Sequence, residues 1–167
     1  LGDVGDLTSR ALVPEGAIGR AAVVPRHPGA LAGMAALPAV LELYDPRLQL
    51  EAAQPDGASL EPGQSVGTIE GPARSLLTAE RVVLNLLGRL SGIATLTRRY
   101  VDTVAGTSAR IYDTRKTTPA WRLLEKYAVR CGGGRNHRAG LYAAVLIKDN
   151  HLAFGSGGPP TEGGFTP

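Results

Sequence analysis

Residues 108 to 151 carry the pattern that most limits the fold: strand, helix, glycine-rich loop, strand. "SARIYDTRK" reads as a strand. "TTPAWRLLEKYAVRCGG" reads as a helix starting near Pro119, a residue suited to the first helical position. "GGGRNHRAGLY" is a loop, and "AAVLIKDNH" is a second strand, apolar until Lys148. A βαβ unit of this kind joins parallel strands, and ligands of parallel sheets and barrels bind at the strand C-termini. Arg115 and Lys116 end the first expected strand, Lys148 ends the second, and His137 and Arg138 lie in the loop between them. Several cations converge there and few acids accompany them. Such a set suits a ligand with several negative charges: carboxylates, phosphates or a pyrophosphate.

The preceding residues read as a mixed α/β module. "AIGRAAVVPRHPG" is a strand ending near Pro25. A short helix is expected from about Gly33 to Tyr44, with Pro38 in its first turn. "RLQLEAAQ" is a strand, and Asp56 to Gly71 reads turn, short strand, turn, strand. A long helix follows, for which Ser75 is the expected N-cap. Leu76, Leu77, Val83, Leu84, Leu87, Leu90, Ile93, Ala94 and Leu96 give it a broad apolar face at helical spacing. Gly88 and Gly92 allow either a close helix contact or a break near Ser91-Gly92, and Arg89, Arg98 and Arg99 read as a solvated face.

Composition excludes several classes. The net charge of +3 is mild, and neither a run of like charges nor aromatic-basic interleaving points to nucleic acid. Cys131 is the single cysteine, so no intrachain disulfide can form, and a cytoplasmic location is expected. No apolar run approaches the roughly 20 residues that span a membrane, and "LGDVGDLTSR" has no signal-peptide character. Leu1 points to a start lying further upstream. His27, His137 and His151 fit no metal-ligand spacing. Cys131 sits at a helix-to-loop corner and no serine lies in an elbow motif, so nucleophilic catalysis has little support. The stretch "GSGGPPTEGGFTP" is expected to be a disordered tail.

Taken together, "GPARSLLTAERVVLNLLGRLSGIATLTRRYV", "DTRKTTP", "LLEKYAVRCGGGRNHRAGL" and "LIKDNH" resemble quinolinate phosphoribosyltransferase, over roughly residues 1 to 154. "GDLTSRALVPEG" resembles the N-terminal segment of that family. The resemblance implies an α/β fold in two parts: an N-terminal α/β sandwich with its linking helix over 1–92, and the first part of an α/β barrel over 93–154, before the tail of 155–167. It implies that quinolinate and 5-phosphoribosyl 1-pyrophosphate, with Mg²⁺, yield nicotinate mononucleotide, pyrophosphate and CO₂ in NAD biosynthesis. Arg115, His137 and Arg138 resemble the ligands of the quinolinate carboxylates. Lys116 and Lys148 resemble the lysines near the phosphoribosyl and pyrophosphate groups, and carry the catalytic assignment. Arg81 resembles the arginine that reaches into a partner subunit's site, in a homodimer or larger assembly.

The family pattern continues with a Glu, an Asp and phosphate-binding loops that this sequence lacks. Two βα repeats cannot close a barrel, so a C-terminally truncated chain without full activity is expected. The alternatives are a nicotinate or molybdenum-transport-associated phosphoribosyltransferase, or a non-catalytic subunit that assembles with intact copies. The stretch "LLEKYAVRCGGGRNHR" favours the quinolinate enzyme.

Overall fold

The structure is a computed structural model that describes residues 4–155. Of the tail expected over 155–167, Gly155 is the last residue of a helix, and residues 156–167 lie outside the described residues. The chain divides into two compact units, Leu1–His137 and Arg138–Pro167.

The first unit opens with helix α1 (Leu7–Leu12), capped by Asp6, whose Oδ1 accepts the Ser9 N–H at 3.0 Å. Strand β1 (Ile18–Val23) pairs antiparallel with β5 (Gly67–Pro72), which pairs on its other edge with β3 (Gln49–Ala52). A second, two-stranded sheet joins β2 (Gly29–Ala30) to β4 (Ser59–Leu60). A 3₁₀ turn at Met34–Ala36 leads into α2 (Leu37–Tyr44), with Pro38 in its first turn as expected. Proline is tolerated there because the N–H it lacks has no partner within the helix.

Helix α3 (Ala73–Thr103) organises the unit. Ala79, Val83, Leu86, Leu87, Leu90 and Ala94 are buried along one stripe, in a core with Leu37 and Leu41 of α2, Ile69 of β5, and Leu48 and Val66 just before β3 and β5. Each such side chain contributes about 1.5–3 kcal/mol when fully buried. Gly33 lies against this stripe at a φ of +113°, and a Cβ there would stand 3.1 Å from Leu90 Cδ1. The helix also supplies hydroxyls to the backbone at β2 and just after it. Thr95 Oγ1 accepts the Ala30 N–H at 2.9 Å, and Ser91 Oγ accepts the Ala32 N–H at 3.1 Å.

Three expectations about α3 are corrected. The helix begins at Ala73, and the Ser75 hydroxyl donates to Asp45 Oδ2 at 2.6 Å instead of capping it. There is no break at Ser91-Gly92, and no atom lies within 4 Å of where a Cβ would sit at Gly88 or Gly92. Arg98 is not part of a solvated face, whereas Arg89 is exposed as expected and also ion-paired. Arg98 donates to the carbonyls of Gly57, Cys131 and Gly132, and Arg89 reaches helix α4 (Arg122–Cys131). Arg99 is exposed as expected.

The βαβ pattern is also corrected. Residues 108–116 form no strand; the pairing there is a single parallel bridge between Tyr112 and Arg135. Helix α4 starts at Arg122, three residues after Pro119. It is preceded by a turn in which the Trp121 N–H donates to the Thr118 carbonyl at 3.0 Å. Pro119 is the second residue of that turn and Ala120 the third, at a φ of +65°. A positive φ there after proline is the type II pattern.

In the second unit, residues 143–148 form no strand and are exposed; α5 (Asp149–Gly155) follows directly. Lys148 therefore precedes a helix and does not end a strand. Its N–H donates to His151 Nδ1 at 3.1 Å.

Candidate active site

The bridge at Tyr112 holds two segments side by side. The Arg135 N–H donates to the Ile111 carbonyl at 2.8 Å, and the Asp113 N–H donates to the Arg135 carbonyl at 3.0 Å. Beyond the bridge, side chains continue the pairing. Asp113 Oδ1 accepts the Lys126 ammonium at 2.5 Å and the His137 N–H at 2.8 Å. Lys126 Nζ also donates to the His137 carbonyl at 3.2 Å. With its amide nitrogen toward the acceptors, Asn136 donates to Asp113 Oδ2 at 3.1 Å and to the Lys126 carbonyl at 2.9 Å. The Lys126 and Asp113 side chains are 4% and 7% exposed.

The segment from Asp113 to Thr118 is held at its far end too. Arg122 Nε donates to Thr117 Oγ1 at 3.2 Å. Arg89 Nη2 donates to Thr118 Oγ1 at 2.8 Å and to Glu125 Oε1 at 2.6 Å. Burial pushes the Glu125 carboxyl up, but the bonds from Arg89 and Thr118 outweigh it and hold its pKa below the usual range. Helix α4 thus grips the loop at both ends through Lys126, Glu125 and Arg122, and α3 adds Arg89.

Arg115 and Lys116 lie in the middle of that gripped loop. The Lys116 N–H donates to Thr114 Oγ1 at 3.1 Å and the Thr117 N–H to the Arg115 carbonyl at 3.0 Å, so the backbone is folded tightly here. Arg115 is half-buried, and its Nε is a buried donor with no acceptor. Lys116 and His137 are exposed. Among the described residues no side chain of Arg115, Lys116 or His137 is ion-paired with a carboxylate; the five ion pairs use other groups.

The structure brings Arg115, Lys116 and His137 into one frame. Arg81 is exposed on α3, and no hydrogen bond or ion pair joins it to that frame among the described residues. In the second unit, Arg138 donates to the Ala144 carbonyl at 3.2 Å, and Lys148 is exposed. Sequence reasoning missed Asp113, Lys126, Asn136 and Glu125. Their signal was present: Glu125 and Lys126 fall on the helix between the two cation-bearing segments, and Asp113 lies two residues before Arg115. Cys131 ends α4, and burial followed by the Asp56 carboxylate pushes its thiol up, against a thiolate nucleophile.

Solved structures are similar in fold to this chain. NadC from Streptococcus pyogenes matches at a TM-score of 0.85 and 41% identity, over 90% of this chain and 54% of that one. The fold is therefore of the type II phosphoribosyltransferase class, with an N-terminal α/β sandwich leading into barrel sequence. Residues 6–91 match the quinolinate phosphoribosyl transferase N-terminal domain, and residues 93–158 match the C-terminal domain. The chain belongs to the quinolinate phosphoribosyl transferase family. It is 51% identical over 151 residues to the nicotinate-nucleotide pyrophosphorylase (carboxylating) of Mycobacterium leprae, covering 89% of this chain and 53% of that protein. It is 48% identical over 149 residues to the probable nicotinate-nucleotide pyrophosphorylase (carboxylating) of Bacillus subtilis, covering 89% of this chain and 51% of that protein. The chain spans about half the length of the curated relatives it matches.

Proposed function

We propose that this chain carries the quinolinate- and phosphoribosyl-binding cations of a transferase that joins quinolinate to 5-phosphoribosyl 1-pyrophosphate. The products are nicotinate mononucleotide, pyrophosphate and CO₂. One observation carries the reading: the buried, unpartnered Nε of Arg115, in a loop gripped at both ends, where the Asp113 and Glu125 carboxylates are already engaged by Lys126 and Arg89. A buried donor without an acceptor costs about 1–3 kcal/mol. A ligand carboxylate seated on Arg115 supplies the acceptor.

In this proposal Arg115, His137 and Arg138 orient the two carboxylates of quinolinate. Lys116 and Lys148 face the phosphoribosyl and pyrophosphate groups and neutralise charge as pyrophosphate departs. Arg81, exposed on α3, serves the site of a neighbouring copy in a homodimer or larger assembly. Among the described residues no three His, Cys, Asp or Glu side chains gather to hold a metal ion. Mg²⁺ is proposed to enter bound to the phosphates of the substrate, where such ions keep most of their ligands. Among the described residues no helix is long and apolar enough to cross a membrane, and a cytoplasmic site of action is part of the proposal.

Isothermal titration tests it. Quinolinate, with two carboxylates, should bind the chain more tightly than nicotinate, with one. Arg115→Ala should weaken quinolinate by about tenfold or more, as expected for loss of a charge-assisted bond worth about 1.5–3 kcal/mol. Equal affinity for the two acids, or an indifferent Arg115→Ala, overturns the reading.

A further inference from the structure

We infer that Asp113 is a positioning residue that, with Lys126, latches the loop bearing Arg115 and Lys116 to the segment bearing His137. The pair holds both backbone polar groups of His137: Asp113 accepts its N–H at 2.8 Å, and Lys126 donates to its carbonyl at 3.2 Å. Asn136 closes the other side by donating to Asp113 Oδ2. The backbone bridge ends at Tyr112 and Arg135, so from there on these side chains are what keep the two segments together. Neither Asp113 nor Lys126 is exposed enough to touch a ligand itself. Their reach is indirect. A single residue, Thr114, separates Asp113 from Arg115, and His137 is held directly.

Stability alone does not account for this arrangement. A buried ion pair gives little net stability over well-packed apolar side chains, because its desolvation offsets its attraction. What it adds is direction. Each of these bonds has a fixed length and angle, so His137 is fixed relative to Asp113, which an apolar contact would leave free to slide. Catalytic and binding groups need such support from residues behind them.

The ligand half of this inference rests on the function proposed above; the geometric half does not. Two measurements separate them. The first is amide hydrogen exchange in the 167-residue chain, together with the imidazole NMR signals of His137. Asp113→Asn and Lys126→Met should each speed exchange at residues 135–137 by about tenfold or more and shift the His137 signals, while the buried turns of α3 stay protected. The double variant should be no looser than either single one, since the pair acts as one unit. Leu41→Ala, a core change on α2, serves as the control: it lowers the melting point and leaves the His137 signals in place. Should Asp113→Asn not fold, Asn136→Ala, which removes the bonds to Asp113 Oδ2 and the Lys126 carbonyl and leaves the Asp113–Lys126 pair in place, carries the same exchange readout. The second measurement is quinolinate affinity, which should fall about tenfold in both latch variants and stay unchanged in Leu41→Ala.

Unchanged exchange at His137 overturns the latch. Faster exchange with unaltered quinolinate affinity overturns its positioning role. If the unsubstituted chain does not bind quinolinate, the proposed function fails, and the exchange data alone decide whether the latch exists.

Discussion

Ala120→Gly should stabilise this protein. Ala120 sits third in the type II turn from Thr118 to Trp121, at a φ of +65°. An L-residue with a Cβ pays about 1–2 kcal/mol in that region. Glycine removes this cost, but its freer unfolded chain takes back about 0.5–1 kcal/mol. Ala120 is exposed, so loss of its methyl forfeits almost no burial. The net gain is about 0.5–1 kcal/mol. For a chain of this length that raises the melting temperature by about 1–4 °C. Urea unfolding should show a higher midpoint with an unchanged slope. Ala120→Val should move the midpoint the other way, because a β-branched residue tolerates positive φ least. An Ala120→Gly midpoint at or below that of the parent, with the same slope, would refute the reasoning.

Gly88→Ala and Gly92→Ala should each stabilise by about 0.5–1 kcal/mol in thermal unfolding, since both lie inside α3 with open space around them. Gly132→Ala should cost about 1–3 kcal/mol, because its Cβ would collide with the Ala94 carbonyl where α4 meets α3. Arg89→Ala should cost about 1–3 kcal/mol in the same assay, as it strips Glu125 of its cation partner while Glu125 stays buried. The bonds from Arg47 and Ser75 hold the Asp45 carboxyl well below the ordinary range. A carboxylate with a depressed folded-state pKa adds stability above its unfolded value of about 4 and loses it as pH falls through the folded one. Stability should therefore drop below about pH 4, and Asp45→Asn should flatten that acid limb in denaturant titrations at several pH values.

What could be read from the sequence was whatever is settled locally. Pro38 in the first turn of α2, the strand at β1 and the buried stripe of α3 (without Leu77, Leu84 and Leu96, which are exposed) all follow from neighbours within a few residues. The strands expected at 108–116 and 143–148 did not form, for one physical reason. A strand is completed by its partner, and β-propensity in Ile111, Tyr112, Val145 and Ile147 cannot stand in for one. The site divided in the same way. Arg115, Lys116 and His137 stood out because unmatched cations are visible along a chain. Asp113, Lys126 and Asn136 did not, because a buried pair is defined by the fold that brings residues 113 and 126 together. Arg98 was misread as solvated on the same account, and the ion pair of the exposed Arg89 went unseen: their acceptors on Glu125, Gly57, Cys131 and Gly132 lie 33 to 41 residues away.

The boundary between the two family domains falls at residue 92, inside α3. At about 1.5 Å per residue the helix is a strut about 46 Å long, and Leu90 and Ala94, on either side of the boundary, are both fully buried. There is no linker to flex and no loop to cut. A separately expressed N-terminal half would have to end its helix in mid-core. Residues 4–137 are thus expected to melt as one body, and evolution could exchange these two domains between proteins only by splicing through a helix in register.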